Sequence, residues 1–133
     1  LPSRPESPGA KVPERSEAAV IFERMLAAEG ITVFVASDSE RGALVGSASL
    51  VVVPNPTYGG RPWAVVENVV VARELRGRGI GRRLVEAAIE KTRRLGCYKV
   101  QLISGPKPEQ KAFYKALRFD SANCPGHRMY FDR

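Results

Sequence analysis

One passage narrows the fold more than any other. The apolar run Trp63 to Val71 (WAVVENVVV) leads within a few residues into Arg76-Gly77-Arg78-Gly79-Ile80-Gly81, which opens directly into an amphipathic segment. There Ile80, Leu84, Val85, Ala88, Ile89 and Leu95 recur with a helical period, while Arg82, Arg83, Glu86, Glu90, Arg93 and Arg94 fill the opposite face. Glu90 and Arg94 have the i,i+4 spacing of a favourable pair, and Gly96 supplies a stop. Strand, glycine-rich turn and helix in this order make an anion site. Free N–H groups at a helix start point at the ligand, and the helix dipole favours negative charge. Gly77, Gly79 and Gly81 let the backbone come close, and Arg76, Arg78, Arg82 and Arg83 add positive charge. A plain strand-to-helix connection with solvated arginines would share this composition.

Two familiar phosphate motifs are excluded. The turn lacks the Gly-Lys-Ser/Thr ending of nucleotide hydrolases. Gly77-Arg78-Gly79-Ile80-Gly81 also has the wrong spacing for a dinucleotide fold, and its strand is not the first.

Around this passage the pattern is mixed α/β. Leu1 to Val12 reads as a disordered lead-in, and residues 13–133 as a single domain. Ile21, Phe22, Met25 and Leu26 predict a helix from Pro13, closed by Gly30 in the left-handed conformation. Ile31–Ser37 and Ala43–Val53 read as strands about the turn Asp38 to Gly42, the second bent at Gly46. Trp63–Val71 is a third strand, Tyr98–Ser104 a fourth, and Glu109–Phe119 a short helix. Asp120 to Arg133 offers two short strands about Pro125-Gly126. The implied architecture is a mixed, mostly antiparallel central sheet flanked by helices.

Composition removes several classes of function. No run approaches the roughly 18 apolar residues of a membrane span, and no signal-peptide pattern is present, so a cytoplasmic protein without a membrane partner is expected. Two cysteines and one histidine, His127, argue against a disulfide framework and against a metal site. A net charge of +7 points to an anionic partner without naming it. No strand shows the interleaved aromatic and basic residues of an RNA-binding sheet, so nucleic acid is not expected.

The run VVVARELRGRGIGRRLVEAA resembles the acetyl-CoA-binding segment of the GCN5-related N-acetyltransferases (GNAT), signature Arg/Gln-x-x-Gly-x-Gly/Ala, with Arg76, Gly79 and Gly81 in the defined positions. KAFYKALRF resembles the family's second signature, a Phe-Tyr pair on a helix ending near Gly-Phe. WAVVENVVV, GCYKV and KAFYKALRF are similar to the glucosamine-6-phosphate N-acetyltransferase branch and its bacterial relatives. The resemblance covers Pro13 to Arg133, and implies the GNAT fold with its first strand and helix absent or truncated.

The resemblance also implies roles. Val69, Val70 and Val71 would pair through their backbone with the pantetheine arm of acetyl-CoA, on a strand that splays from its neighbour. Arg76 and the amides of Gly77, Arg78, Gly79, Ile80, Gly81 and Arg82 would hold the pyrophosphate. Tyr114 would protonate the departing thiolate, as a phenol with a pKa near 10 can at neutral pH; a core aromatic beside Phe113 is the plainer role. Glu67 is the candidate base for the amine, its pKa raised by burial, although a solvated or arginine-paired glutamate fits the same strand. Asn68, which stands where the sugar-phosphate branch has an acid, alternates to the other face or marks a strand irregularity. Tyr58, Arg61 and Trp63 line the acceptor entrance or pin a hairpin. Arg118 replaces the usual glycine, so a locally different helix end is expected, and Gly105-Pro106-Lys107-Pro108 replaces an Asn-containing stretch.

The implied activity is acetyl transfer from acetyl-CoA to a primary amine by direct attack on the thioester, a small-molecule acceptor being favoured over a protein or peptide. A basic noncatalytic module that binds nucleic acid or CoA is the rival from another class. A homodimer built through the last strands is expected by analogy with the family.

Overall fold

The computed structural model describes residues 12–131, so the expectation for the lead-in falls largely outside the described residues. Helix α1 (Arg15–Ala27) is followed by β1 (Ile31–Asp38), β2 (Ala43–Val53), β3 (Trp63–Val71), α2 (Ile80–Arg94), β4 (Lys99–Gln101) and α3 (Pro108–Ala116). The sheet order is β1-β2-β3-β4; the first three strands are antiparallel, and β4 runs parallel to β3. The expected mixed, mostly antiparallel α/β sheet is what forms.

The β1–β2 hairpin closes at Asp38, whose Oδ1 accepts from the Glu40 amide at 3.0 Å and whose carbonyl accepts from the Gly42 amide at 2.8 Å. The bend in β2 is a register skip: Ala36 faces Gly46 and Ser37 faces Leu44, leaving Val45 unopposed. A Cβ at Gly46 would lie 3.0 Å from the Val70 carbonyl and 3.1 Å from Leu84 Cδ1, so the missing side chain lets α2 pack closely on the sheet. Gly30 has a different role from the cap expected of it. Helix α1 already ends at Ala27, and a Cβ on Gly30 would meet the Val52 carbonyl at 2.7 Å.

Leu84, Val85, Ala88 and Thr92 bury the inner face of α2 against β2 and β3. The core gathers Leu50, Ala64, Val66, Ala88 and Cys97, with Phe34, Val52, Val69, Val100 and Leu102 packed around it. Burying each large aliphatic side chain contributes roughly 1.5–3 kcal/mol. Two details of α2 differ from expectation. Leu95 lies past the last turn and is half exposed, and Glu90 pairs with Arg93 at 3.8 Å rather than with Arg94. Helix α1 rests on β1 but buries no side chain; Ile21, Phe22 and Leu26 stay exposed.

Three further segments depart from the sequence reading. Strand β4 is only Lys99–Gln101, because Leu102 to Ser104 leaves the sheet instead of following β3. No strand forms between Asp120 and Phe131; Met129, Tyr130 and Phe131 are exposed and have no ladder to join. Helix α3 stops at Ala116, earlier than Phe119, yet its end is not altered in kind. Arg118 takes the left-handed φ of 69° that glycine would favour, and the Phe119 amide donates to the Tyr114 carbonyl at 3.0 Å.

Candidate active site

The sheet opens in the middle of β3. Trp63, Ala64 and Val65 pair with Lys99, Val100 and Gln101, and there the β3–β4 ladder ends. From Val66 to Val71 the β4-facing backbone of β3 has no strand partner among the described residues. On its other side β3 carries a bulge: Ser49 faces Glu67 and Ser47 faces Val70, so Asn68 and Val69 together oppose Ala48. Asn68 holds a φ of 53°, a conformation asparagine tolerates better than most residues. Of its two expected placements, the strand irregularity is the one adopted.

At the C-terminal end of the open edge the chain turns through Arg73–Leu75 into the glycines. Gly77 and Gly79 take φ values of 78° and 83°, and Gly79 is the N-cap of α2. The first helical bond runs from the Arg83 amide to the Gly79 carbonyl at 3.1 Å, leaving the amides of Ile80, Gly81 and Arg82 free for an anion. Gly81 lacks the left-handed φ of its neighbours, and a Cβ there would make ordinary contact with Val71 Cγ2 at 3.5 Å and Phe113 at 3.6 Å.

Beside this turn lies a cleft of about 420 Å³ lined by Val69, Val71, Arg76, Gly77, Gly79, Ile80, Gly81 and Arg82, with Leu75, Glu109, Gln110, Phe113 and Ala116. Most of the expected cofactor residues therefore meet in one place. Two do not line it. Val70 turns to the opposite face and is half exposed; Arg78 borders a separate cavity beyond α2 with Phe34, Val45 and Arg83. Arg76 braces the turn, its Nε donating to the Val71 carbonyl at 3.3 Å, and Arg82 is paired with Glu86 at 2.9 Å.

Gln110 is a cleft residue that the sequence reading missed. It is buried, and its Oε1 accepts weakly from the Lys107 amide at 3.4 Å. The available signal was a glutamine three residues into a helix start, where such side chains fold back on the preceding loop.

Helix α3 flanks the cleft with Phe113 and brings Tyr114 toward Glu67. Tyr114 is buried and meets Phe113 and Phe119 edge-on, at 4.9 and 5.8 Å between ring centroids. Burial, and then the charge of Glu67, push its phenol above the usual tyrosine value. It is thus both a core aromatic and a phenol held protonated. Glu67 differs from expectation: its side chain is exposed rather than buried. The carboxylate also lies on the face of β3 opposite the cleft-lining Val69 and Val71.

Tyr58, Arg61 and Trp63 do pin a loop. Tyr58 stacks on Tyr98 at 4.1 Å, Arg61 donates to the carbonyls of Gly96 and Cys97 at 3.0 and 2.9 Å, and Lys99 sits over the Trp63 ring. They hold the start of β3, about 13 Å along the strand from Glu67.

The sequence signature of the acetyltransferase (GNAT) family matches residues 3–119. The chain belongs to the GNAT family. Among curated GNAT relatives it is 42% identical over 90 residues to the glucosamine 6-phosphate N-acetyltransferase of Trypanosoma brucei brucei, a match covering 68% of this chain and 60% of that protein. Of solved GNAT structures, one from Agrobacterium tumefaciens str. C58, assigned as an acetyltransferase, superposes with a TM-score of 0.84 at 40% identity, covering 94% of this chain and 85% of that one. A Trypanosoma brucei acetyltransferase gives a TM-score of 0.77 at 35% identity over 93% and 83% of the two chains. The acetyl donor of the family is acetyl-CoA, and this chain's cleft adjoins the free amides at the start of α2 and the unpaired stretch of β3.

Proposed function

We propose that this chain transfers an acetyl group from acetyl-CoA to the primary amine of a small molecule, with amino-sugar phosphates as the first acceptors to test. The observation that carries the reading is the half-unpaired β3: its open edge leads into the Gly77–Arg82 turn, and Tyr114 lies near enough for the charge of Glu67 to bear on its phenol. The free amides at the start of α2 would hold the pyrophosphate, and the β3 edge would pair with the arm. Bound acetyl-CoA supplies the reactive thioester.

The chain's own residues then handle protons and position. Glu67, exposed on the far face of β3, accepts a proton from the incoming ammonium group, directly or through water. The amine forms the new C–N bond as the C–S bond breaks, Tyr114 supplies the proton for the departing sulfur, and the surplus proton on the new amide nitrogen returns to the Tyr114 phenolate through water. Holding both reactants in line contributes much of the acceleration. Support for the amino-sugar class comes from the curated relatives, named glucosamine 6-phosphate N-acetyltransferases in Trypanosoma brucei brucei and Oryza sativa.

The test is thiol release from acetyl-CoA with glucosamine 6-phosphate, other small amines and amine-bearing peptides. Turnover with small amines is expected. Turnover on peptides alone would overturn the acceptor class, and acetyl-CoA binding without release on any acceptor would mark a noncatalytic module.

A further inference from the structure

A buried hydroxyl stands directly across from the proposed base. Ser49 is 7% exposed in the middle of β2, between the fully buried Ala48 and Leu50. Those neighbours face α2; Ser49 faces the other side of the sheet. The register sets it opposite Glu67 on β3 and Ser49 has Val33 on its β1 side. Directly opposed residues of an antiparallel pair have Cβ atoms about 4.5–5.5 Å apart. This is also the last regular pair before the bulge at Asn68 and Val69, so the distortion that re-aims β3 begins beside it.

The position is unusual for a serine. It closes no turn and caps no helix, and each of its immediate neighbours along and across the strand other than Glu67 is apolar. Among the described residues every side-chain polar atom fully shut off from solvent has a hydrogen-bond partner. Among the described residues Ser49 Oγ has no such partner, so it is not fully shut off from solvent. A hydroxyl offers one donor, and an ionised carboxylate only accepts. Glu67 makes no ion pair with a described cation. The ionisable group that approaches it from α3 is Tyr114, which is neutral; from β4 the nearest register position is the uncharged Gln101, and β2 contributes Ser47 and Ser49.

We propose that Ser49 is a positioning residue: its hydroxyl, unpartnered in this structure, turns to donate a hydrogen bond to the Glu67 carboxylate when an acceptor binds and holds it on the acceptor side of β3. The proposal rests on Glu67 being the base. A donor to the ionised form favours that form, so Ser49 keeps Glu67 ready to accept a proton. Its loss makes the carboxylate harder to ionise and less well aimed.

The experiment is the pH dependence of kcat/KM with acetyl-CoA and glucosamine 6-phosphate, or the fastest amine of the panel above. The proteins are the wild type, Ser49→Ala, Ser49→Thr, Glu67→Gln and the double variant Ser49→Ala/Glu67→Gln. Ser49→Ala is expected to lower kcat/KM about tenfold and to move the acidic limb up by about half a pH unit. Ser49→Thr, which keeps a hydroxyl, restores both. The double variant is no slower than Glu67→Gln alone, because the serine acts through the carboxylate. A Glu67→Gln enzyme that keeps the acidic limb overturns the base assignment and this proposal with it. A Glu67→Gln enzyme that loses the limb, beside a Ser49→Ala enzyme whose limb has not moved, overturns the role of Ser49 alone. Should Ser49→Thr fail to fold, the double variant decides: additive losses refute the coupling, and non-additive losses support it.

Discussion

Removing the Tyr114 hydroxyl separates chemistry from packing. The ring is 8% exposed and wedged edge-on between Phe113 and Phe119, so Tyr114→Phe keeps the carbon skeleton that fills this space. Its stability cost should stay near 1 kcal/mol, a melting shift of a few degrees. A general acid contributes about 10²–10⁴-fold, or roughly 3–5 kcal/mol of barrier. Thiol release should therefore fall by at least about 100-fold, with KM for acetyl-CoA little changed. The pH dependence carries a second signature. Burial and the Glu67 charge raise the phenol above its ordinary 10.0, so the folded chain holds this proton more tightly than the unfolded one. Tyr114 accordingly adds stability that is complete below about pH 10 and is lost as the pH rises through the folded value; the phenylalanine variant lacks that loss. Melting curves between pH 8 and 11 check it. A variant that keeps activity within about threefold of wild type would refute Tyr114 as the acid, whatever its melting behaviour.

Three further outcomes are expected. Arg118→Gly relieves the left-handed φ of 69° and should raise stability by about 1 kcal/mol in denaturant titrations, with no change in kcat. Gly81→Val drives methyl groups into Val71 and Phe113, which a Cβ already touches; KM for acetyl-CoA should rise at least about tenfold, read from initial rates. Of the two free thiols, exposed Cys124 should be alkylated quickly and buried Cys97 slowly, since burial raises the Cys97 thiol pKa; mass spectrometry after a short pulse at pH 8 separates them.

Elements defined by local chemistry were legible from the chain itself. Strands β2 and β3 begin and end where expected, because β-branched runs meet Asp38-to-Gly42 and Pro54-to-Pro62 turn residues. The start of α2 was equally plain, since glycines before an amphipathic period leave few alternatives. What escaped depends on neighbours far along the chain. Nothing within YKVQLIS says that its partner strand is bulged and that pairing must stop at Gln101. Glu67 looks buried in an apolar run, yet period-two alternation beside a bulge turns it outward. Arg61 shows its use only once Gly96 and Cys97 come near it, and Gln110 only once α3 meets the cleft. Lone residues in the tail, with the β propensity of Tyr130 and Phe131, could not reveal that no partner ladder was available.

The bulge on β3 has a geometric consequence for how such a strand can change. A strand has only two phases, and one supernumerary residue exchanges them. Upstream of Asn68 the even-numbered residues Ala64 and Val66 point into the core; downstream the odd-numbered Val69 and Val71 turn to that same side, where they line the cleft. One short strand thus presents a carboxylate outward and a cleft wall inward without altering either neighbour. Deleting Asn68 would remove no core side chain, yet it would swap the sides of the residues on one flank of the deletion relative to the other. Point substitution has no equivalent. Substituting a side chain of this strand leaves its phase unchanged, whereas changing its length at Asn68 does not.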